Sequence, residues 1–221
     1  MILSVRHLNI YRSGAPLLRD VNFDLQRDET MVVRSKVGDG GTLLLRCLTG
    51  ITDAKSGEVL YGGVDIQKLA RENRGMDMRA RVGFVYERHG LISIQDVFRN
   101  ISMPLRYHTQ LSISEIKQRV YNVADELHIS DLLSKEPNEL TEVQTWLVNL
   151  ARALVIRPRL LLIDKFGSRT SVGRQWQLLG ILRRHQAKEH FGAILLTHNS
   201  NADYGDSTYT IRNGEMRRED D

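Results

Sequence analysis

The sequence predicts an α/β domain with a mainly parallel sheet and helices on both faces. Two features carry this expectation. RPRLLLID and GAILLTHN are short, continuous apolar runs, the pattern of strands buried on both faces, and the helical segment RQWQLLGILRRHQAK separates them. The size is that of one large domain: 221 residues, 41% apolar and 26% charged, are enough to build an independent core.

The elements follow in order. LSVRHLNIYR and VNFDLQ alternate apolar and polar residues, as half-buried strands do, and join through Tyr11-Arg12-Ser13-Gly14. MVVRS is a short apolar run ending in a glycine-rich loop. TLLLRCLTG then reads as a helix that Gly50 stops. SGEVLYGGVDI is a strand pair turning at Gly62-Gly63. From about residue 91 to 145 the character changes. ISEIKQRVYNVADELHISDLL carries apolar residues at helical spacing, and Ser114 is the expected cap of a helix starting at Glu115. WLVNLARALVI is helical, and YTIRNGEM is a closing hairpin around Asn213-Gly214.

Composition excludes several classes. No apolar run approaches the roughly 18 residues of a membrane span, and MILSVRHLNIYR lacks a secretory apolar core. A single cysteine, Cys47, cannot form an internal disulfide and suits a reducing compartment. The expected location is the cytosol, with membrane contact only through a partner. The net charge is +4, and the basic residues of RPRL, LRRHQAK and EMRRED are scattered, as on a solvated surface. No basic stripe with interleaved aromatics marks a nucleic-acid face, so no nucleic acid is expected as partner.

The glycine loop carries the chemistry. A phosphate-binding loop aims backbone N–H groups and a helix N-terminus at phosphate oxygens, with the pattern G-x-x-x-x-G-K-[ST]. Residues 35–42, SKVGDGGT, keep the second glycine as Gly40 and the hydroxyl as Thr42. Ser35 stands for the first glycine and Gly41 for the lysine.

Five further segments stand in a telling order. GEVLYGGVDIQKL and VGFVYERHGLISIQDVFRNISMPLR come first, NELTEVQTWLVNLARAL opens a helix before PRLLLID, and GAILLTHN follows. With the loop, they resemble the nucleotide-binding subunit of an ABC transporter over almost the full length. Within that family, NISMPLRYHTQLS looks most like the ATPases of Mla/Mce-type lipid transport systems. The resemblance implies a P-loop NTPase-like single domain over 1–221. Its core spans about 1–90 and 146–221, with an antiparallel β subdomain and an inserted helical subdomain at about 91–145.

The resemblance also implies roles and cofactors, ATP and Mg2+. Tyr11 matches the aromatic stacked on adenine. Lys36, Gly38, Asp39, Gly40, Gly41, Thr42 and Leu43 match the phosphate cradle. Thr42 and Asp164 match the magnesium shell, Glu87 the Q-loop glutamine, and His198 the switch histidine. Thr141 and Gln144 match signature positions that face a partner's nucleotide. The departures fall on the chemistry. Gly41 removes a cation from the phosphates, and a hydrogen bond to a charged group is worth roughly 1.5–3 kcal/mol. Lys165 replaces the glutamate that polarises water, where a positioned base gives about 10²–10⁴ in rate. Glu142 and Val143 replace signature glycines, and Ser171 the D-loop aspartate.

The implied partners are a transmembrane transporter subunit and a second ATP-binding subunit. Phe98, Met103, Pro104, Leu105 and Tyr107 are candidates for contact with the membrane subunit. Three functions remain open: an ATP-binding subunit with weak or absent hydrolysis, an active ATPase in which Lys36 or Lys165 supplies the missing cation, and a scaffold that has lost nucleotide. A homodimer would damage each composite site twice, so a heteromeric partner is expected.

Overall fold

The computed structural model describes residues 1–72, 81–86, 90–167, 171–200 and 202–219. Strands β1 (Leu3–Arg12), β2 (Ala15–Leu25), β4 (Ser56–Tyr61) and β5 (Val64–Asp65) form an antiparallel sheet in the order β2-β1-β4-β5. The second sheet contains β3 (Thr30–Ser35), β6 (Val82–Val85), β7 (Leu160–Ile163), β8 (Gly192–Thr197), β9 (Ser207–Arg212) and β10 (Glu215–Arg218). Its order is β10-β9-β3-β8-β7-β6, parallel except for the terminal hairpin β9-β10.

Six helices complete the described chain: α1 (Gly41–Leu48), α2 (Ile66–Arg71), α3 (Val97–His108), α4 (Ile113–Glu126), α5 (Glu142–Leu154) and α6 (Val172–Glu189). None of the described helices is long and apolar enough to cross a membrane.

Side chains of a strand alternate between its two faces, and that alternation explains the continuous apolar runs. In β7, Leu161 and Ile163 join a core containing α3, α4, α5 and α6, whereas Leu160 and Leu162 join a core with α1 and the antiparallel sheet. β8 divides likewise: Ala193 and Leu195 face one cluster, Ile194 and Leu196 the other. Each buried leucine contributes about 1.5–3 kcal/mol relative to an exposed one, so both faces of the sheet must be covered.

The structure corrects one boundary. Helix α4 is capped by Ser112, not Ser114: the Ser112 hydroxyl accepts from the Glu115 N–H at 3.3 Å, and the Glu115 carboxylate accepts from the Ser112 N–H at 2.8 Å. This reciprocal pair requires the S-x-x-E spacing, which Ser112 satisfies and Ser114 does not. Helix α3, with Pro104 inside it, carries no sequence-level assignment, and its cap is Asp96. Asn100, fully buried, donates to the carbonyls of Ile92, Gln95 and Asp96 and accepts from the Ile92 N–H, pinning the preceding segment to α3.

Candidate functional site

Strands β3, β8 and β7 are neighbours and parallel. Their carboxyl ends therefore bring the glycine loop, His198 and Asp164-Lys165 to one edge of the sheet, where open α/β sheets bind ligands. The loop enters α1 through Gly40 at φ 102°, a left-handed conformation that glycine adopts without steric cost. The first N–H groups of a helix have no intrahelical partner and carry positive partial charge. At the start of α1 these belong to Gly41, Thr42 and Leu43.

A cavity of about 350 Å³ lies here. Ser35, Lys36, Val37, Gly38, Gly40, Gly41, Thr42 and Leu43 line it, with Arg12, Leu17, Arg46, Lys165 and His198. The sequence-predicted loop residues thus converge on one space with Lys165 and His198. Arg12 and Arg46 went unread in the sequence. Arg46 had a signal, since it lies four residues beyond Thr42 on α1 and so shares its face. Arg12 follows Tyr11 at the end of β1, and no motif position marks it.

Asp164 is 7% exposed, and its Oδ1 accepts the Thr42 hydroxyl at 2.9 Å. The two residues expected to hold magnesium are therefore in direct contact. His198 Nδ1 lies 2.6 Å from the Ser35 carbonyl, which can only accept, so Nδ1 carries the hydrogen. Its Nε2 is buried without a protein partner among the described residues.

Gly41 is more than a missing ammonium. A Cβ there would stand 2.5 Å from Leu196 Cδ1 and 2.7 Å from Ser35 Oγ. Leu196 is fully buried in β8, so the space a longer side chain would need is already packed.

The remaining expectations fall outside this lining. Tyr11 is 44% exposed at the end of β1, and Arg12 rather than Tyr11 lines the cavity. Asp39 holds the loop, its Oδ2 accepting from the Lys36 N–H at 3.1 Å. Glu87 lies outside the described residues.

The lining suits the phosphates of a nucleotide: amides at a helix N-terminus, two hydroxyls and four cationic side chains. A magnesium ion is held through one or two carboxylates plus substrate phosphates, and the Thr42 hydroxyl with the Asp164 carboxylate beside it would be the residues to hold one. Among the described residues no carboxylate is part of the lining itself, and Asp164 adjoins it through Thr42.

Residues 18–166 match the family profile described as ABC transporter. The chain belongs to that family. LolD of Psychrobacter arcticus, the lipoprotein-releasing system ATP-binding protein, is 27% identical over 218 residues, covering 96% of each chain. MetN of Clostridium acetobutylicum, a methionine import ATP-binding protein, is 27% identical over 197 residues; the match covers 89% of this chain and spans 61% of MetN. Among solved structures, the dimeric cassette MJ0796 bound to ADP and Pi superposes with a TM-score of 0.89 at 21% identity, over 99% of this chain and 98% of that one. The cbiO1 protein of Clostridium perfringens, part of the cbiONQ transporter complex, gives 0.87 at 24% identity, over 98% and 86%. These likenesses establish the ABC fold of this chain.

The segment that resembles the ABC signature opens α5. Thr141 caps the helix by accepting from the Gln144 N–H at 3.3 Å, while Gln144 Oε1 accepts from the Thr141 N–H at 2.9 Å and the Thr141 hydroxyl at 3.0 Å. The side chains of Thr141 and Gln144 are thus engaged with one another. Ser171 caps α6 through the Arg174 N–H. Of the candidates for membrane-subunit contact, Leu105 is fully buried in the core and Phe98 packs on Tyr121 at 6.0 Å, while Tyr107 is 76% exposed.

Proposed function

We propose that this chain is the ATP-binding subunit of an ABC transporter complex with a lipid or envelope-related cargo, that it hydrolyses ATP weakly or not at all, and that it works beside a second ATP-binding subunit. It binds a transmembrane subunit from the cytoplasmic face of the inner membrane. The observation that carries this proposal is the cationic cavity after β3, lined by the glycine loop and the start of α1; the reading takes Gly41 and Lys165 to stand where the family has its lysine and glutamate. The amides of α1 and the side chains of Arg12, Lys36, Arg46 and Lys165 hold phosphates. No described residue of the lining offers a carboxylate to take a proton from water, and an ammonium at Lys165 cannot accept one. The lipid or envelope cargo draws support from NISMPLRYHTQLS and from the end-to-end match to LolD.

Turnover of ATP by the purified full chain is the test. The expected result is a rate at least about 10²-fold below that of ordinary ATPases, as for loss of a positioned base. A normal turnover abolished by Asp164→Asn would instead establish the active-ATPase reading, which the presence of Lys36 and Lys165 in the lining favours.

A further inference from the structure

We infer that a second cavity, at the opposite edge of the parallel sheet, takes a soluble phosphate monoester that carries a short apolar chain. The inference stands apart from the nucleotide-binding reading and uses none of its residues.

Three observations carry it. First, strand register sets two arginines side by side. β6 and β7 run parallel with Val82 opposite Leu160, and Arg81 and Arg159 directly precede those residues. The Arg159 N–H donates to the Arg81 carbonyl at 2.8 Å, so the backbone itself holds the pair together. Second, Arg27, in the turn between β2 and β3, borders the same cavity of about 300 Å³. Three guanidiniums from separate stretches of chain therefore meet one space. Third, the wall beside them is apolar. Leu160 is fully buried, and Tyr61 is 8% exposed with its hydroxyl donating to the Leu48 carbonyl at 3.1 Å, which leaves its ring as the lining surface. Val64 extends this wall toward solvent. The chemistry of the occupant follows from these parts. A guanidinium stays charged and offers a planar fork of donors that matches two phosphate oxygens. Like charges repel, and an anion seated among them replaces that repulsion with charge-assisted hydrogen bonds. A phosphate monoester carries about −1.5 to −2 at neutral pH and so answers three arginines better than a carboxylate does. An apolar chain on the ester covers the Tyr61, Val64 and Leu160 wall, which a bare ion would leave wet. Small-molecule sites run from roughly 300 to 1,000 Å³, so this cavity admits only a short chain.

Calorimetric titration of the full chain with hexyl phosphate and with inorganic phosphate tests this. Hexyl phosphate is expected to bind at least about tenfold more tightly, since each buried methylene contributes about fourfold in affinity. Arg81→Gln and Arg159→Gln should each weaken hexyl phosphate binding by about tenfold or more. Thermal melts of both variants establish that they are folded. Equal affinity for the two probes would overturn the inference, because the apolar wall would then play no part. Folded variants that bind hexyl phosphate as tightly as the native chain would also overturn it, and would move that binding to the nucleotide cavity. A last arm offers phosphatidylcholine vesicles containing phosphatidic acid. Binding to these vesicles without binding to hexyl phosphate would overturn the soluble ester in favour of a lipid headgroup at a membrane surface.

Discussion

At the scale of single residues, the glycine at position 41 and the leucine at 196 must be considered together. A lysine at 41 would restore the loop's cation in composition, but its Cβ meets Leu196 Cδ1 at 2.5 Å and Ser35 Oγ at 2.7 Å. Overpacking a filled core costs about 1–3 kcal/mol. Gly41→Lys is therefore expected to lower stability by that amount in urea unfolding without raising ATP turnover, and adding Leu196→Ala should relieve the clash. Unchanged stability together with a gain in hydrolysis would show that Leu196 yields freely. The loss of charge at Gly41 was legible in the sequence, because the loop pattern fixes that position relative to Gly40 and Thr42. The blocking leucine was not, because only the β3-β8 pairing brings Leu196 to the loop. Cys47 is fully buried on α1, and burial pushes its thiol up to about 12, far from reactive thiolate chemistry.

At the scale of elements, the segment that resembles the signature opens a helix. Thr141 and Gln144 close a reciprocal cap on α5, and replacing such a cap by alanine costs typically about 1 kcal/mol. Thr141→Ala should lower the unfolding free energy by about that amount in a denaturant titration; no change would mean that the cap does not hold the helix. Phe166, 1% exposed, follows Lys165 and packs edge-on against Trp146 of α5 at 6.0 Å, tying the strand end of β7 to that helix. Truncating a buried phenylalanine costs about 3–5 kcal/mol, so Phe166→Ala is expected to be the most damaging substitution named here, measured by the same unfolding titration. A third contact joins α4 to α6. His185 is buried with Nδ1 3.3 Å from Glu126 Oε2, and Lys188 pairs with the other oxygen of Glu126. Burial pulls the His185 pKa below its ordinary 6.5, opposed by Glu126 and Glu189 and helped by Lys188 and Arg184. The sign follows. In the unfolded chain the ring protonates as pH falls through 6.5; in the folded chain it resists until lower pH. Stability is therefore full above that value and declines below it. Unfolding titrations from about pH 7.5 to about pH 5 should show this loss, and His185→Gln should flatten it. Elements defined by periodicity and hairpin chemistry, namely β1, β7, β8, α6 and the Asn213-Gly214 turn, were readable. The start of α4 was misread by two residues because two serines compete there and only the S-x-x-E spacing separates them. Helix α3 escaped because Pro104 and a polar face mask its period.

At the scale of the whole molecule, one sheet separates two cores, and the functional cavity opens at the edge where three parallel strands end. The signature helix start belongs to a different part of the surface, built from α5 with the helical segment. The MJ0796 cassette is dimeric and bound to ADP and Pi; if the signature positions of this chain face a partner's nucleotide, as the family resemblance implies, a self-dimer would bring Glu142 of one copy toward the phosphates held by another. Glu142 lies in the first turn of α5, next to Val143. Like charges facing each other at an interface cost several kcal/mol, and a β-branched residue keeps backbones apart where glycine would let them approach. ATP should therefore fail to drive this chain into self-dimers. Sedimentation of the purified protein, with and without saturating ATP, is expected to give the same monomeric species, and co-purification from cells should recover a second ATP-binding subunit whose signature supplies the glycines missing here. Self-dimers that form only with ATP would overturn the heteromeric arrangement, because Glu142 would then be tolerated beside the phosphate it is expected to repel.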